Sequence, residues 1–262
     1  MPRMSRTALS ENARRAYIES YNRKGGLPIW LQQEVGQTLV VRLLPSAIDG
    51  ESPFLLQGRH SVVLPDQTTL KWVCARMAGT GACPICDWLD EKINPVWRHL
   101  RALGASRSPE EEVMFKKAEQ WRRVFRLACN YIAHCVNLVE GLESYWGVQL
   151  IRFPVASFDK QIKSFYEDGM VDGAPAAGHD IFSWEEGRPL EITKARDSKS
   201  NIVQYTYHIL DDIVPFDKEE WQAKLKALPW GGDLKLVWRP LPADEVREKV
   251  MFVKDPLNPK KK

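Results

Sequence analysis

The chain has 262 residues, 44% hydrophobic and 27% charged, with 37 lysines and arginines against 34 aspartates and glutamates and a formal net charge of +3. Such a chain can bury a real core as one large domain with small appendages, which excludes a mostly disordered polymer and a fold that only a metal could hold together. No run approaches the roughly 20 apolar residues of a membrane span, and Met1-Pro2-Arg3-Met4-Ser5-Arg6-Thr7 leads into no apolar segment, so an intracellular protein without a membrane partner is expected.

Residues 1–26 form a basic segment, with Arg3, Arg6, Arg14, Arg15, Arg23 and Lys24 against Glu11 and Glu19. Ser10 and Gly25-Gly26 bracket a predicted helix over 10–24. A strand follows over Gln37–Leu44, whose one charge, Arg42, either faces out or meets a ligand. Arg59–Leu64 and Thr69–Val73 predict a hairpin about Pro65-Asp66. Asp87–Ile93 and Val96–Leu103 predict helices broken at Asn94-Pro95 and stopped by Gly104; Ser108-Pro109-Glu110-Glu111 is a capping box opening a helix to about Val124. Strands are predicted over Arg126–Leu138, Tyr145–Phe153, Leu190–Ala195 and Ile202–Leu210. Asp159 would cap a helix ending at Gly169, 172–179 would be an exposed loop, and Asp217 with Glu220 would cap a helix to about Leu228. Strands scattered among uneven loops, without regular βαβ alternation, favour an α+β or mainly β barrel core over a doubly wound sheet.

The hairpin brings His60 and Cys74 towards Cys83-Pro84-Ile85-Cys86, in the spacing His-x13-Cys-x8-Cys-x2-Cys. Two thiolates separated by two residues can reach one ion from a tight turn, and an imidazole with a third thiolate completes the tetrahedron that Zn2+ favours. A redox Cys-x-x-Cys needs neither the third cysteine nor the histidine, and unliganded thiols are the bland alternative. With His60, Cys74, Cys83 and Cys86 as ligands no open position remains, so one structural zinc per chain is expected. The odd cysteine count fits a reducing compartment, with Cys129 and Cys135 packed in a strand.

A second basic cluster, Lys116, Lys117, Arg122, Arg123 and Arg126, is interleaved with Phe115, Trp121 and Phe125. Cations for phosphates beside rings for unstacked bases are what a single strand needs, although a solvated amphipathic helix fits these residues at least as well.

The run Val40-Val41-Arg42-Leu43-Leu44-Pro45-Ser46, then Ser52-Pro53-Phe54, His60, Cys74 and Cys83-Pro84-Ile85-Cys86, resembles the helix-destabilising single-stranded DNA-binding protein of tailed bacteriophages, the gene-thirty-two type. The match is specific over about 38–89 and looser over about 120–210, where Arg152-Phe153, Ile162 and Trp184-Glu185-Glu186-Gly187 follow the family's order. The resemblance implies an OB-fold core over 27–240 carrying an inserted zinc subdomain at about 55–92, peripheral helices, a C-terminal segment over 241–262, and single-stranded DNA in a basic cleft. It implies DNA contacts from Arg42, Trp72, Trp121, Arg122, Arg123, Phe125, Arg126, Tyr131, Arg152, Phe153, Lys194, Arg196, Lys199 and Tyr205. Tyr207 is a further stacking candidate, and fewer than half of these rings are expected to touch DNA.

The implied function is to coat and protect single-stranded DNA, sequence-independently and cooperatively, in phage replication, recombination and repair in the host cytoplasm. Arg3, Ser5, Arg6 and Thr7 would contact the neighbouring protomer, and phage replication proteins would be further partners. Two departures stand out. The chain ends Lys260-Lys261-Lys262 where the family has an acidic tail, and Thr80 replaces the tyrosine that precedes the Cys-x-x-Cys pair.

An enzyme is not expected. His60 is followed by Ser61-Val62 and His179 by Asp180-Ile181, so the His-x-Glu of zinc deaminases is missing, and no phosphate loop is present. The alternatives are an RNA-binding or transcription-linked phage zinc protein using the same cleft, and a zinc-stapled protein-interaction module that binds no oligonucleotide.

Overall fold

The computed structural model describes residues 30–63, 69–138, 143, 146–168, 170–171, 174–175, 180–197, 202–237 and 240–250. The protein is of mixed α+β type, with a mostly antiparallel sheet and several helices. The predicted helix over 10–24, Arg3, Ser5, Arg6, Thr7 and Lys199 lie outside the described residues, as does most of the 172–179 loop.

Strand β1 (Thr38–Leu43) is followed by β2 (Phe54–Val63) and β3 (Thr69–Val73), an antiparallel hairpin that sets His60 opposite Trp72. Strand β2 starts earlier than Arg59 because Phe54 has a core to join: its ring meets those of Tyr131, Phe158, Tyr166 and Phe182. Helix α1 (Pro84–Trp88) begins inside the Cys-x-x-Cys pair, with Pro84 in the first turn, where a missing N–H costs nothing. A π-turn over Leu89–Ile93 then leads into α2 (Asn94–Leu103). The expected break at Asn94-Pro95 is therefore a helix start, the irregularity being taken up by the π-turn. Gly104, at φ +54°, stops α2.

Helix α3 (Pro109–Val124) carries the predicted capping box: Glu111 N–H donates to Ser108 Oγ at 3.2 Å and Ser108 N–H to Glu111 Oε2 at 2.7 Å. Strands β4 (Leu127–Asn137) and β5 (Val148–Pro154) follow as expected. The next helical stretch starts directly after Pro154, as α4 (Val155–Phe158), a π-turn over Asp159–Lys163, and α5 (Ser164–Asp168). Asp159 is thus inside it rather than at its N-cap, the earlier start burying Phe158 as well as Ile162. A two-residue ladder joins β6 (Met170–Val171) and β7 (Ala174–Pro175) within the stretch expected to be loop. Strands β8 (Leu190–Arg196) and β9 (Val203–Ile209) form a hairpin, and α6 (Lys218–Lys226) is capped by Asp217, whose Oδ1 accepts from Glu220 N–H at 2.7 Å. Helix α7 (Ala243–Val250), not predicted from the sequence, closes the described chain.

The chain divides into two units, Met1–Leu55 with Tyr131–Leu234, and Leu56–Asn130 with Lys235–Lys262. In the first unit, β4, β1, β8 and β9 lie side by side in that order, all antiparallel, with β5 on β4. Strand β1 is covered on both faces, for Val41, Arg42 and Leu43 are all fully buried. Phe216 and Trp221, stacked at 4.3 Å, pack with Leu44, Val136 and Leu225 as one cluster of this core.

The same core holds His134, whose Nε2 accepts from Trp230 Nε1–H at 3.0 Å. An indole N–H can only donate, so this imidazole is neutral at Nε2. Burial pushes its pKa down to about 4. The unfolded chain therefore takes up a proton first, and stability is full above about pH 6.5 and falls as pH drops towards 4, by roughly 3 kcal/mol in total. Urea unfolding between pH 4 and 7 should show this loss, and His134→Gln should flatten the dependence by about one proton.

The second unit packs Val62, Trp72, Ile85, Phe125 and Val246 around Cys74 and Cys83, with Trp88 and Trp121 against them. Helix α7 thus supplies a core residue, Val246, to the second unit.

Candidate metal centre and aromatic groove

His60, Cys74, Cys83 and Cys86 come together as the spacing predicts, their donor atoms all within 4.8 Å of one another. Strand β2 supplies His60, the end of β3 supplies Cys74, and the first turn of α1 supplies the other two. His60 Nε2 lies 3.3 Å from Cys83 Sγ and 3.4 Å from Cys86 Sγ, and Cys74 Sγ lies 3.6 Å from Cys86 Sγ. Ligands at tetrahedral angles on bonds of 2.0–2.3 Å would be about 3.3–3.8 Å apart, so the cage has the size of a four-coordinate metal site. His60 Nδ1 is 3.3 Å from the carbonyl of Phe125, which accepts its proton and leaves Nε2 to ligate.

The electrostatics point the same way. Hydrogen bonds with Cys74 and Cys86 hold the Cys83 thiol far below the ordinary range, and hydrogen bonds with Cys74 and Cys83 push Cys86 up. Burial opposes protonation of His60, yet hydrogen bonds that its ring makes to the sulfurs of Cys74 and Cys83 raise its pKa to about 9. Several sulfurs compete here for a positive charge that one cation would supply to all. Outside the cage, Arg76 bonds Asp90 at 2.6 Å and also Asp87, tying the loop after Cys74 to the helix after Cys83; being exposed, this clasp adds little stability.

A separate groove of about 340 Å³ lies wholly on the first unit, lined among others by Trp30, Gln33, Arg152, Lys194, Tyr205 and Tyr207. Its geometry follows from strand register. Lys194 pairs with Tyr205 and Ile192 with Tyr207, so the two tyrosines occupy alternate positions on one face of β9, their rings 6.5 Å apart and 14° from parallel. Arg152 Cζ stands 3.9 Å from the Trp30 ring centroid and Lys194 Nζ 5.8 Å from that of Tyr205, while Lys194 Nζ also donates to Gln33 O at 2.6 Å. The buried hydroxyl of Tyr207 has no hydrogen-bond partner among the described residues. Among the described residues lining the groove, none carries a carboxylate.

Of the implied DNA contacts, Arg152, Phe153, Lys194 and Tyr205 converge on this groove, Phe153 as buried wall behind Tyr207. Arg123, Arg126 and Arg196 are exposed elsewhere. Five of the residues expected to meet a strand are buried as placed. Arg42 is fully buried and donates to the carbonyls of Val214, Leu43, Ile181 and Ser183. Trp72 and Phe125 are core of the second unit. Tyr131 stacks on Phe158 at 4.4 Å, and Phe153 is 1% exposed. Trp121, half-buried, stacks on Phe125 at 5.4 Å.

Trp30, Gln33, Trp97, Arg98 and Arg101 were not singled out by the sequence. Trp30 carries no local signal, since it reaches the groove through a bridge to Leu150. The triple Trp97, Arg98 and Arg101 at helical spacing was a signal that could have been used. No helix of the described residues is long and apolar enough to cross a membrane. Comparison with known proteins adds no relative: no protein-family model matches the chain, and no curated protein matches it.

Proposed function

We propose that this chain is a single-stranded DNA-binding protein whose second unit is braced by one structural zinc, with the sheet of its first unit serving as an OB-type barrel. It coats and protects the strand without sequence preference, in phage replication, recombination and repair, and performs no chemistry. The observation that carries this is the groove in which stacked Tyr205 and Tyr207 stand beside Lys194 and Arg152. Aromatic faces stabilise any base by about 1–3 kcal/mol, and cations release phosphate counterions, so affinity is sequence-tolerant and salt-sensitive. Zinc is supported by the His/Cys3 donor set and by separations of 3.3–3.6 Å. Four protein donors leave no position for a reacting water, so the metal would brace the fold and activate nothing. The basic segment with Arg3, Ser5, Arg6 and Thr7 is proposed to contact the neighbouring protomer, and phage replication proteins to be further partners.

The test is titration with oligo(dT), duplex DNA and RNA at two salt concentrations, read by tryptophan fluorescence. Oligo(dT) should bind best, with a log–log salt slope of about −0.7 per neutralised phosphate. Tyr205→Ala should weaken it by about 1–3 kcal/mol. Equal affinity for duplex, or no change in Tyr205→Ala, would sink the proposal. Preference for RNA would transfer the groove to the RNA-binding alternative.

A further inference from the structure

The helical hairpin of the second unit gathers positive charge around one indole. Trp97 of α2 stacks on Phe115 of α3 at 6.4 Å and 17°, which fixes the ring. Arg122, from the last turn of α3, places its Cζ 3.5 Å from the Trp97 centroid, and Arg101, one turn along α2, places its own at 4.8 Å. Arg98 lies three residues before Arg101, on the same stripe of α2. Arg122 Nε donates to Asn94 Oδ1 at 3.0 Å, so that guanidinium is held in place rather than free to swing away.

Convergence of like charges is costly unless something offsets it. Among the described residues no salt bridge involves Arg98, Arg101 or Arg122. Of the acids that act on these groups, Glu119 comes last among the influences on Arg122, and Asp90, which feels the charge of Arg98, is taken up by Arg76 and Asn94. Burial, then the charges of Arg101 and Arg98, lower the tendency of Arg122 to hold its proton. Arg107 in the same hairpin shows what a structural arginine looks like: it stacks on Phe115 at 4.1 Å, bonds Glu112 at 2.7 Å and donates to the Leu100 carbonyl at 2.9 Å.

We infer that the face formed by Trp97, Arg98, Arg101 and Arg122 is a second nucleic-acid contact, one that takes the phosphodiester backbone rather than the bases. This rests on the function proposed above. The planar forks of guanidinium groups match phosphate oxygens. The indole is already occupied by Arg122 and Phe115, so it anchors cations instead of stacking a base, and contacts of this kind position a strand without selecting sequence. An acidic peptide would satisfy the same charges, but the rest of the proposed function supplies a polyphosphate.

The test compares the full chain with Arg98→Gln/Arg101→Gln and with Arg98→Lys/Arg101→Lys, both at exposed positions, and with Lys194→Ala in the groove. Oligo(dT) affinity is measured across salt, with poly-glutamate as a non-phosphate polyanion. The glutamine pair should reduce the log–log salt slope by about 1.4 and weaken binding by about tenfold at low salt, while the lysine pair should keep the slope. Lys194→Ala should reduce the slope by about 0.7 on its own account. A glutamine pair with the wild-type slope, or one that loses only poly-glutamate binding, overturns this second site while leaving the groove standing. Absence of oligonucleotide binding by the wild-type chain overturns both.

Discussion

Cys83→Ser is expected to lose the metal and, with it, the cooperative fold of the second unit, while the β1–β8–β9 sheet of the first remains. Structural zinc sites contribute on the order of 10–16 kcal/mol of apparent binding free energy, more than a unit of this size holds in reserve. The cage shows why the loss would not stay local. His60, Cys74 and Cys83 are buried, and the hydrophobic cluster of Val62, Trp72, Ile85, Phe125 and Val246 is packed around them. Without the cation these polar groups would have to remain in an apolar core with only one another as partners. Metal content should fall from about one ion per chain to none, near-ultraviolet circular dichroism of the tryptophans should drop, and a urea transition belonging to the first unit should persist. A serine variant that still carries stoichiometric metal would remove Cys83 from the ligand set. A wholly unfolded variant would show that the metal supports both units.

Arg42→Leu is expected to destabilise the first unit by about 3–5 kcal/mol. The guanidinium serves four carbonyls, including Val214 at 3.2 Å and Ile181 at 2.7 Å, and burial has already pushed its pKa down to about 10. Leucine would leave those carbonyls buried without donors. The backbone has been shaped around this side chain, because a Cβ at Gly187 would occupy the position of the guanidinium itself. Gly187→Ala should therefore destabilise the same unit by displacing Arg42, although it removes no charge. Both are read as a shift of the denaturant midpoint at unchanged salt dependence of DNA binding. If Arg42→Leu keeps its stability but loses oligonucleotide affinity, the arginine belongs to the binding surface after all.

These two cases differ in how far the sequence could lead. The metal centre was legible because its chemistry is local: three donors lie within a short stretch and a hairpin with a strong turn signal supplies the fourth, so spacing nearly determines geometry. The capping box at Ser108 and Glu111 was legible for the same reason. Asn94-Pro95 and Asp159 misled because a proline or an aspartate fits a helix start or a helix interior equally well, and burial of Phe158 and Ile93 decided between them.

Burial was not legible in the same way. An arginine in an apolar strand and an aromatic beside a basic cluster look alike whether they face solvent or core, and only packing on both faces of β1 and around Phe125 turned Arg42, Trp72 and Phe125 inward. By itself the sequence determined the four donors, the strands that carry them and most helix boundaries, since these depend on neighbours along the chain. Tertiary structure alone decided which cations and rings share a surface. Lys194 meets Tyr205 through cross-strand register, Arg152 meets Trp30 and Arg122 meets Trp97 through packing of distant segments. Proximity between residues far apart in sequence is set by packing, which no local pattern encodes.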